Sequence, residues 1–188
     1  MKKLVLIRHS KTLFESETPN PQWILSDEGQ ELAQKLASHE LVKSLGVLYS
    51  SDQTKALETA VILARPHRLA IRVMHELTEL TSISKKFFDN FEATVKDLHE
   101  GKIDRINDGE SVAEVATRCN GAIEKIANET IGIETVGVVA HGNIFSIFAA
   151  QYEDRPSYDI HHSLRMPDIA VFDWSSKTFD VKFGDIEL

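Results

Sequence analysis

Three short segments of this 188-residue chain carry side chains able to grip an anion. The apolar run Leu4 to Ile7 ends in Arg8-His9-Ser10. The run Gly46 to Tyr49 ends in Ser50-Ser51, with Lys55 about one helical turn further on, and the run Thr135 to Ala140 ends in His141-Gly142. In open α/β sheets, ligands bind beyond the carboxyl ends of the strands, where loops converge and helix N-termini aim free N–H groups outward. A strand-terminal Arg-His pair taken alone is equally an ordinary pair of surface residues where a strand leaves its sheet. A second histidine behind another buried strand, at the same edge, favours a site. One guanidinium, one ammonium and two imidazoles in one place suit a phosphate dianion, which accepts charge-assisted hydrogen bonds from such groups.

The elements that must position these groups follow from the hydrophobic period. Apolar runs at Leu4 to Ile7, Gly46 to Tyr49, Ala70 to Met74, Thr135 to Ala140, Ile169 to Asp173 and Thr178 to Phe183 read as strands. Leu32, Ala33, Leu36, Ala37 and Leu41, behind the cap Ser26-Asp27-Glu28, predict one helix from about Asp27 to Lys43. Further helices are expected over Gln53 to Leu63, Phe87 to His99 and Asn143 to Tyr152, with Thr78 to Lys86 as a loop. Ser111 to Glu114 fits a capping box, and Val112, Val115, Ala116, Cys119, Ile123 and Ile126 recur behind it at helical spacing. Strands alternating with helices imply a three-layer α/β/α sandwich with a mostly parallel central sheet, formed by residues 1–188 as a single domain.

Composition narrows the class. With 42% hydrophobic and 27% charged residues the chain has the balance of a globular protein, and nine Gly and five Pro leave no collagen-like or low-complexity tract. A single cysteine excludes a disulfide scaffold, and Cys119 lies on an apolar helix stripe, where it reads as core filling. No apolar stretch reaches a membrane span, and the run before Arg8 is too short for a secretory leader, so a cytoplasmic location is expected. Twenty-nine acidic against 21 basic residues give a net charge of −8, which opposes attraction to nucleic acid or to an anionic membrane. Phosphate recognition must then be confined to a pocket, and the expected partner is a phosphorylated small molecule or phosphoprotein. No spare apolar pattern gives the oligomeric state.

Taken in order, the motifs resemble those of the histidine phosphatase superfamily, the phosphoglycerate mutase-like fold, over most of the chain. Leu6-Ile7-Arg8-His9-Ser10-Lys11-Thr12 is similar to that family's strand followed by Arg-His-Gly-x-Thr, and Leu25-Ser26-Asp27-Glu28-Gly29 to its Leu-Thr/Ser-x-x-Gly helix start. Ser50-Ser51-Asp52-Gln53-Thr54-Lys55-Ala56-Leu57-Glu58-Thr59-Ala60 resembles its Ser-Ser-x-x-x-Arg-Ala-x-Gln-Thr-Ala segment. Leu77-Thr78-Glu79 resembles its Leu-x-Glu, Gly109-Glu110-Ser111 its Gly-Glu-Ser, and Val138-Val139-Ala140-His141-Gly142 its second-histidine motif.

The resemblance implies a phosphatase without metal or other cofactor. His9 would be the nucleophile that forms a phosphohistidine, and Arg8 a bidentate clamp on phosphate. His141 and Lys55 would add positive charge, Gly142 would adjoin the substrate, and Glu79 would be the proton donor to the leaving group. Four departures accompany it. Ser10 replaces the family glycine and brings a hydroxyl within possible reach of phosphate. Lys55, a point charge, replaces the second arginine. Glu15 stands where many members have a phosphate-contacting Asn, and is either a repulsive carboxylate or a second candidate acid. Leu80 to Lys86 lacks the Gly-x-Trp-Glu-Gly continuation that would fix Glu79. Those departures motivate a rival reading, a phosphate-ester-binding module without turnover. A phosphoglycerate-type mutase and a metal-dependent hydrolase built from His9, His141 and His161 are more distant rivals. The adjacent pair His161-His162, read as extended, points to opposite sides and is poorly suited to ligate one ion. His39, His67, His75 and His99 read as surface or boundary residues, and Trp23 as either a pocket wall or sheet-edge packing.

Overall fold

A computed structural model describes residues 1–15, 18–80 and 90–187. Six strands form one sheet: β1 (Lys3–Arg8), β2 (Val47–Ser50), β3 (Ile71–Val73), β4 (Thr135–Ala140), β5 (Asp168–Asp173) and β6 (Thr178–Val181). Their order is β3-β2-β4-β1-β5-β6. β1, β2, β3 and β4 run parallel to one another, whereas β5 pairs antiparallel with β1, and β6 with β5. The expected mostly parallel sheet is present, with a hairpin added at one side.

The period-2 geometry of a strand splits β1 between two cores. Leu4 and Leu6 face the cluster built with α4 (Phe91–His99), α5 (Val112–Glu129) and α6 (Gly142–Ala149), while Val5 and Ile7 face the one built with α1 (Asp27–Ala37) and α3 (Thr54–Ala64). All four side chains are fully buried. At its roughly 25 cal/mol per Å² of apolar area, such burial on both faces fixes the register of β1 against β4, because a one-residue slip would exchange the faces. Gly137 in β4 is needed for the same packing, since a Cβ there would run into the side chains of Leu45 and Leu48. Cys119 is buried in the first core, and burial pushes its thiol up to about 12, so it fills space and does not react.

Three expectations change. The single helix over Asp27 to Lys43 is broken: α1 ends at Ala37, and His39 starts the short α2 (Glu40–Lys43) by accepting the N–H of Leu41 on its ring. A helix that the sequence pattern did not reveal, α7 (Ser157–Ser163), carries His161 and His162, which are therefore helical and not extended. α4 begins at Phe91, and residues 87–89 of its expected first turn lie outside the described residues, as does 81–86 of the expected loop. The capping box at Ser111 is formed as read, with both the side chain of Ser111 and that of Glu114 closing on backbone N–H groups. Among the described residues, no helix is long and apolar enough to cross a membrane.

Candidate active site

The carboxyl ends of β1, β2 and β4 converge as the strand order requires, β4 lying between β1 and β2. Arg8, His9, Lys55 and Glu79 line one cavity of about 180 Å³ together with Asn143 and His161, and Trp23, Phe91 and Met166 supply its apolar wall.

His9 continues the ladder through its backbone N–H, which donates to Ala140 O at 2.9 Å. Its ring is almost fully buried, and Nδ1 lies 2.8 Å from the carbonyl oxygen of Ser10. A carbonyl only accepts, so Nδ1 carries the proton and Nε2 keeps its lone pair. Burial, then the charges of Lys55 and Arg8, hold the His9 pKa well below its ordinary value and keep the ring neutral.

Arg8 is anchored by Nη1, which donates to Leu164 O at 2.9 Å and Arg165 O at 3.3 Å, while its buried Nε has no protein partner among the described residues. Gly142, the first residue of α6, lies against that guanidinium: a Cβ there would sit 3.2 Å from Arg8 Cζ and Nη2 and from His161 Cε1. Lys55 enters from the first turn of α3 and is only 3% exposed. Its Nζ donates to Asn20 O at 3.2 Å and to Asn20 Oδ1, and lies 5.5 Å from the centre of the Trp23 ring. Desolvation lowers its pKa to about 8, against the opposing pull of Glu79.

His141 caps α6 at the end of β4, fully buried, with its ring centre 5.2 Å from that of His9. Its Nε2 lies 2.8 Å from Ser51 Oγ, and its buried Nδ1 has no protein partner. Burial first, then the charges of His9, Lys55 and Arg8, push its pKa well below the ordinary value, which favours the neutral ring. Arg8 Nε, His141 Nδ1 and His161 Nδ1 are thus three buried nitrogens without a protein partner. Such groups are costly unless something binds them, and a phosphate oxygen suits the N–H of Arg8 and of His141.

Glu79 is 9% exposed, and its carboxylate accepts four N–H groups. Oε1 takes Leu80 N at 2.9 Å and Ile144 N at 3.3 Å, and Oε2 takes Asn143 N and Nδ2, both at 3.2 Å. The N-terminus of α6 therefore holds the acid in place of the family's Trp-containing continuation, where dipole and free N–H groups suit a carboxylate.

Two expected contacts are not made. The Ser10 hydroxyl donates to Gly29 O at 2.7 Å and its N–H to Thr59 Oγ1 at 3.0 Å, so Ser10 joins the loop to α1 and α3 and does not face phosphate. Glu15 is exposed, accepts Thr18 Oγ1 at 2.7 Å and is not part of the cavity wall. Trp23 is a pocket wall. Among the described residues, no group of three or more His, Cys, Asp or Glu is placed to hold a metal ion, so His9, His141 and His161 do not form a ligand set.

Sequence reasoning missed Asn20, Asn143 and His99, and weighed His161 only as a metal ligand. Asn143 directly follows His141-Gly142 and was open to notice; His161 depends on a helix without a clear period, and His99 on the meeting of α4 with α6 and α7.

A family model for the histidine phosphatase superfamily, branch 1, matches residues 4–183. The chain belongs to that superfamily. Within it, "Phosphoglycerate mutase-like protein 4" of Arabidopsis thaliana is 26% identical over 160 residues, covering 76% of this chain and 67% of the relative. YhfR of Bacillus stearothermophilus superposes with a TM-score of 0.79 at 22% identity, covering all of this chain and 98% of the other. A mycobacterial glucosyl-3-phosphoglycerate phosphatase gives 0.75 at 20% identity with both chains fully covered. A phosphoserine phosphatase from Entamoeba histolytica, solved with 3-phosphoglyceric acid, gives 0.77 at 19% identity, covering all of this chain and 98% of the other. These structures share the histidine phosphatase fold.

Proposed function

We propose that this protein is a metal-independent phosphatase that hydrolyses phosphate monoesters through a phosphohistidine at Nε2 of His9. The observation that carries the reading is the bond between His9 Nδ1 and Ser10 O, which leaves a neutral, unprotonated Nε2 beside Arg8 and Lys55. An imidazole so fixed attacks phosphorus in line, the Nε2–P bond forming as the bond to the ester oxygen breaks. Arg8 and Lys55, with the N–H of His141, take the charge that spreads over the phosphoryl oxygens. Glu79, once protonated, gives its proton to the leaving oxygen. It then takes one from the water that attacks the phosphohistidine, and phosphate and neutral His9 are released.

The test is hydrolysis of an aryl phosphate in the presence of a chelator by the wild type and by His9→Ala, with mass spectrometry for a phosphorylated histidine in acid-free quench. Turnover and phosphohistidine in the wild type alone are expected. Equal turnover by His9→Ala overturns the mechanism, and ester binding without phosphohistidine or turnover would instead mark a phosphate-ester-binding module.

A further inference from the structure

Glu79 is oriented by more than the end of α6. Oε2 accepts the side-chain amide of Asn143, and an amide can turn over to present its oxygen instead of its nitrogen. What decides the orientation is on the far side: Asn143 Oδ1 lies 2.9 Å from Nε2 of His99, the last residue of α4. His99 Nδ1 in turn lies 2.8 Å from Oγ of Ser157, the first residue of α7. With Glu79 as a carboxylate, the pattern of donors and acceptors is consistent in one direction only. Asn143 Nδ2 must donate to the carboxylate, so Oδ1 must accept, so His99 Nε2 carries the proton, and Nδ1 of the neutral ring accepts the Ser157 hydroxyl. Burial, which lowers the His99 pKa, favours that neutral ring. His99, expected at the surface or its boundary, is half-buried where α4 meets α6 and α7.

We infer that His99 is a positioning residue for leaving-group protonation: acting through Asn143, it holds the Glu79 carboxyl at the site where the leaving oxygen departs. The role rests on the phosphatase reading above. Without the His99 donor, the Asn143 amide is free to turn its oxygen toward Glu79 Oε2, where it repels the carboxylate or captures the proton of the acid, and in either state releases the carboxyl from its working orientation. His99 does not line the cavity that holds Arg8, His9 and Lys55, so phosphate binding and phosphoryl transfer to a good leaving group stand apart from it.

The experiment compares kcat/KM, which reports steps up to phosphoryl transfer, on phenyl phosphate and on 2,4-dinitrophenyl phosphate. Phenoxide needs a proton as it leaves and dinitrophenoxide does not. His99→Phe keeps a ring in place but lacks the donor; His99→Gln retains an N–H able to reach Asn143. The loss in His99→Phe is expected to be about tenfold or more greater on phenyl phosphate than on the dinitrophenyl ester, a part of the roughly 100-fold or larger effect of general acid catalysis. Inhibition by inorganic phosphate should stay unchanged, and His99→Gln should bring the two losses back within about threefold of each other. Equal losses on both esters, or none on either, overturn the role while leaving the phosphatase reading intact. A wild type that hydrolyses neither ester overturns the phosphatase reading and this role with it.

Discussion

The ammonium of Lys55 is held by Asn20, through both the backbone carbonyl at 3.2 Å and the side-chain oxygen. The contact ties the first turn of α3 to the short helical turn Asn20–Gln22 and draws Trp23 over the cation. Lys55 thereby stands in the pocket with its charge satisfied by two neutral oxygens, in place of the fixed fork of an arginine.

That arrangement gives phosphate binding a pH dependence. Desolvation sets the Lys55 pKa at about 8, below the 10.5 of a free lysine. A bound dianion favours the ammonium, so above about pH 8 each phosphate must bring a proton with it, and affinity falls as pH rises, by up to about tenfold per unit. Below that value Lys55 is already charged and contributes no slope. The inhibition constant of inorganic phosphate, measured from about pH 7 to about 10, should therefore rise through the upper part of the range in the wild type and stay nearly flat in Lys55→Arg, whose guanidinium keeps its proton throughout. A flat wild-type profile would show that Lys55 does not hold the anion.

Glu79→Gln should cost both rate and stability. The amide places an NH2 where a carboxylate oxygen now accepts two N–H groups, leaving buried donors facing a donor. An unsatisfied buried donor costs about 1–3 kcal/mol, which lowers Tm by several degrees in a domain of this size. Loss of the proton donor should reduce kcat/KM on phenyl phosphate by about 100-fold to 10,000-fold. Thermal melting and steady-state kinetics on the same preparation separate the two effects; a variant with near-normal kcat/KM would remove Glu79 from the mechanism.

How far the sequence reaches is seen in which of these residues it could place. Arg8, His9 and His141 follow directly from strands whose apolar runs are local and unbroken, whereas the sheet order that puts β4, and not β2, beside β1 is set by long-range pairing that no local pattern carries. Lys55 is readable because it lies one turn beyond β2. Direction of a side chain is another matter. Ser10 and Glu15 are adjacent in sequence to the phosphate-gripping residues, yet the turn after His9 aims one hydroxyl at Gly29 and leaves the other carboxylate at the surface beside Thr18. His99 and His161 could not be placed at the site by period, because their positions there depend on how α4 and α7 pack against α6. The break between α1 and α2 was hidden because Leu41 keeps the apolar spacing while His39 supplies a new cap.

Ser10→Ala follows from the corrected placement. Removing the hydroxyl takes away one buried bond to Gly29 O and should lower stability by about 1 kcal/mol, read as a shift in the denaturation midpoint. The inhibition constant of phosphate should not move. A weakening of phosphate inhibition without loss of stability would return Ser10 to the binding site.

Gly142→Ala tests the packing that brings Arg8 to the phosphate. The added methyl would stand 3.2 Å from the guanidinium carbon, from Nη2 and from the His161 ring, so at least one of these must give way by a few tenths of an ångström. The backbone is helical there, as the first residue of α6, and alanine is itself a better helix former than glycine by up to about 1 kcal/mol, which offsets part of the strain. Stability should consequently change little, while Arg8, anchored by the carbonyls of Leu164 and Arg165 on one nitrogen, is displaced from the phosphate it is to clamp. Phosphate inhibition weakened by about tenfold or more, with Tm within a few degrees of the wild type, is the expected result. Unchanged inhibition together with an unchanged Tm would mean that the guanidinium has room to spare, and that its contact with Gly142 does not set its position.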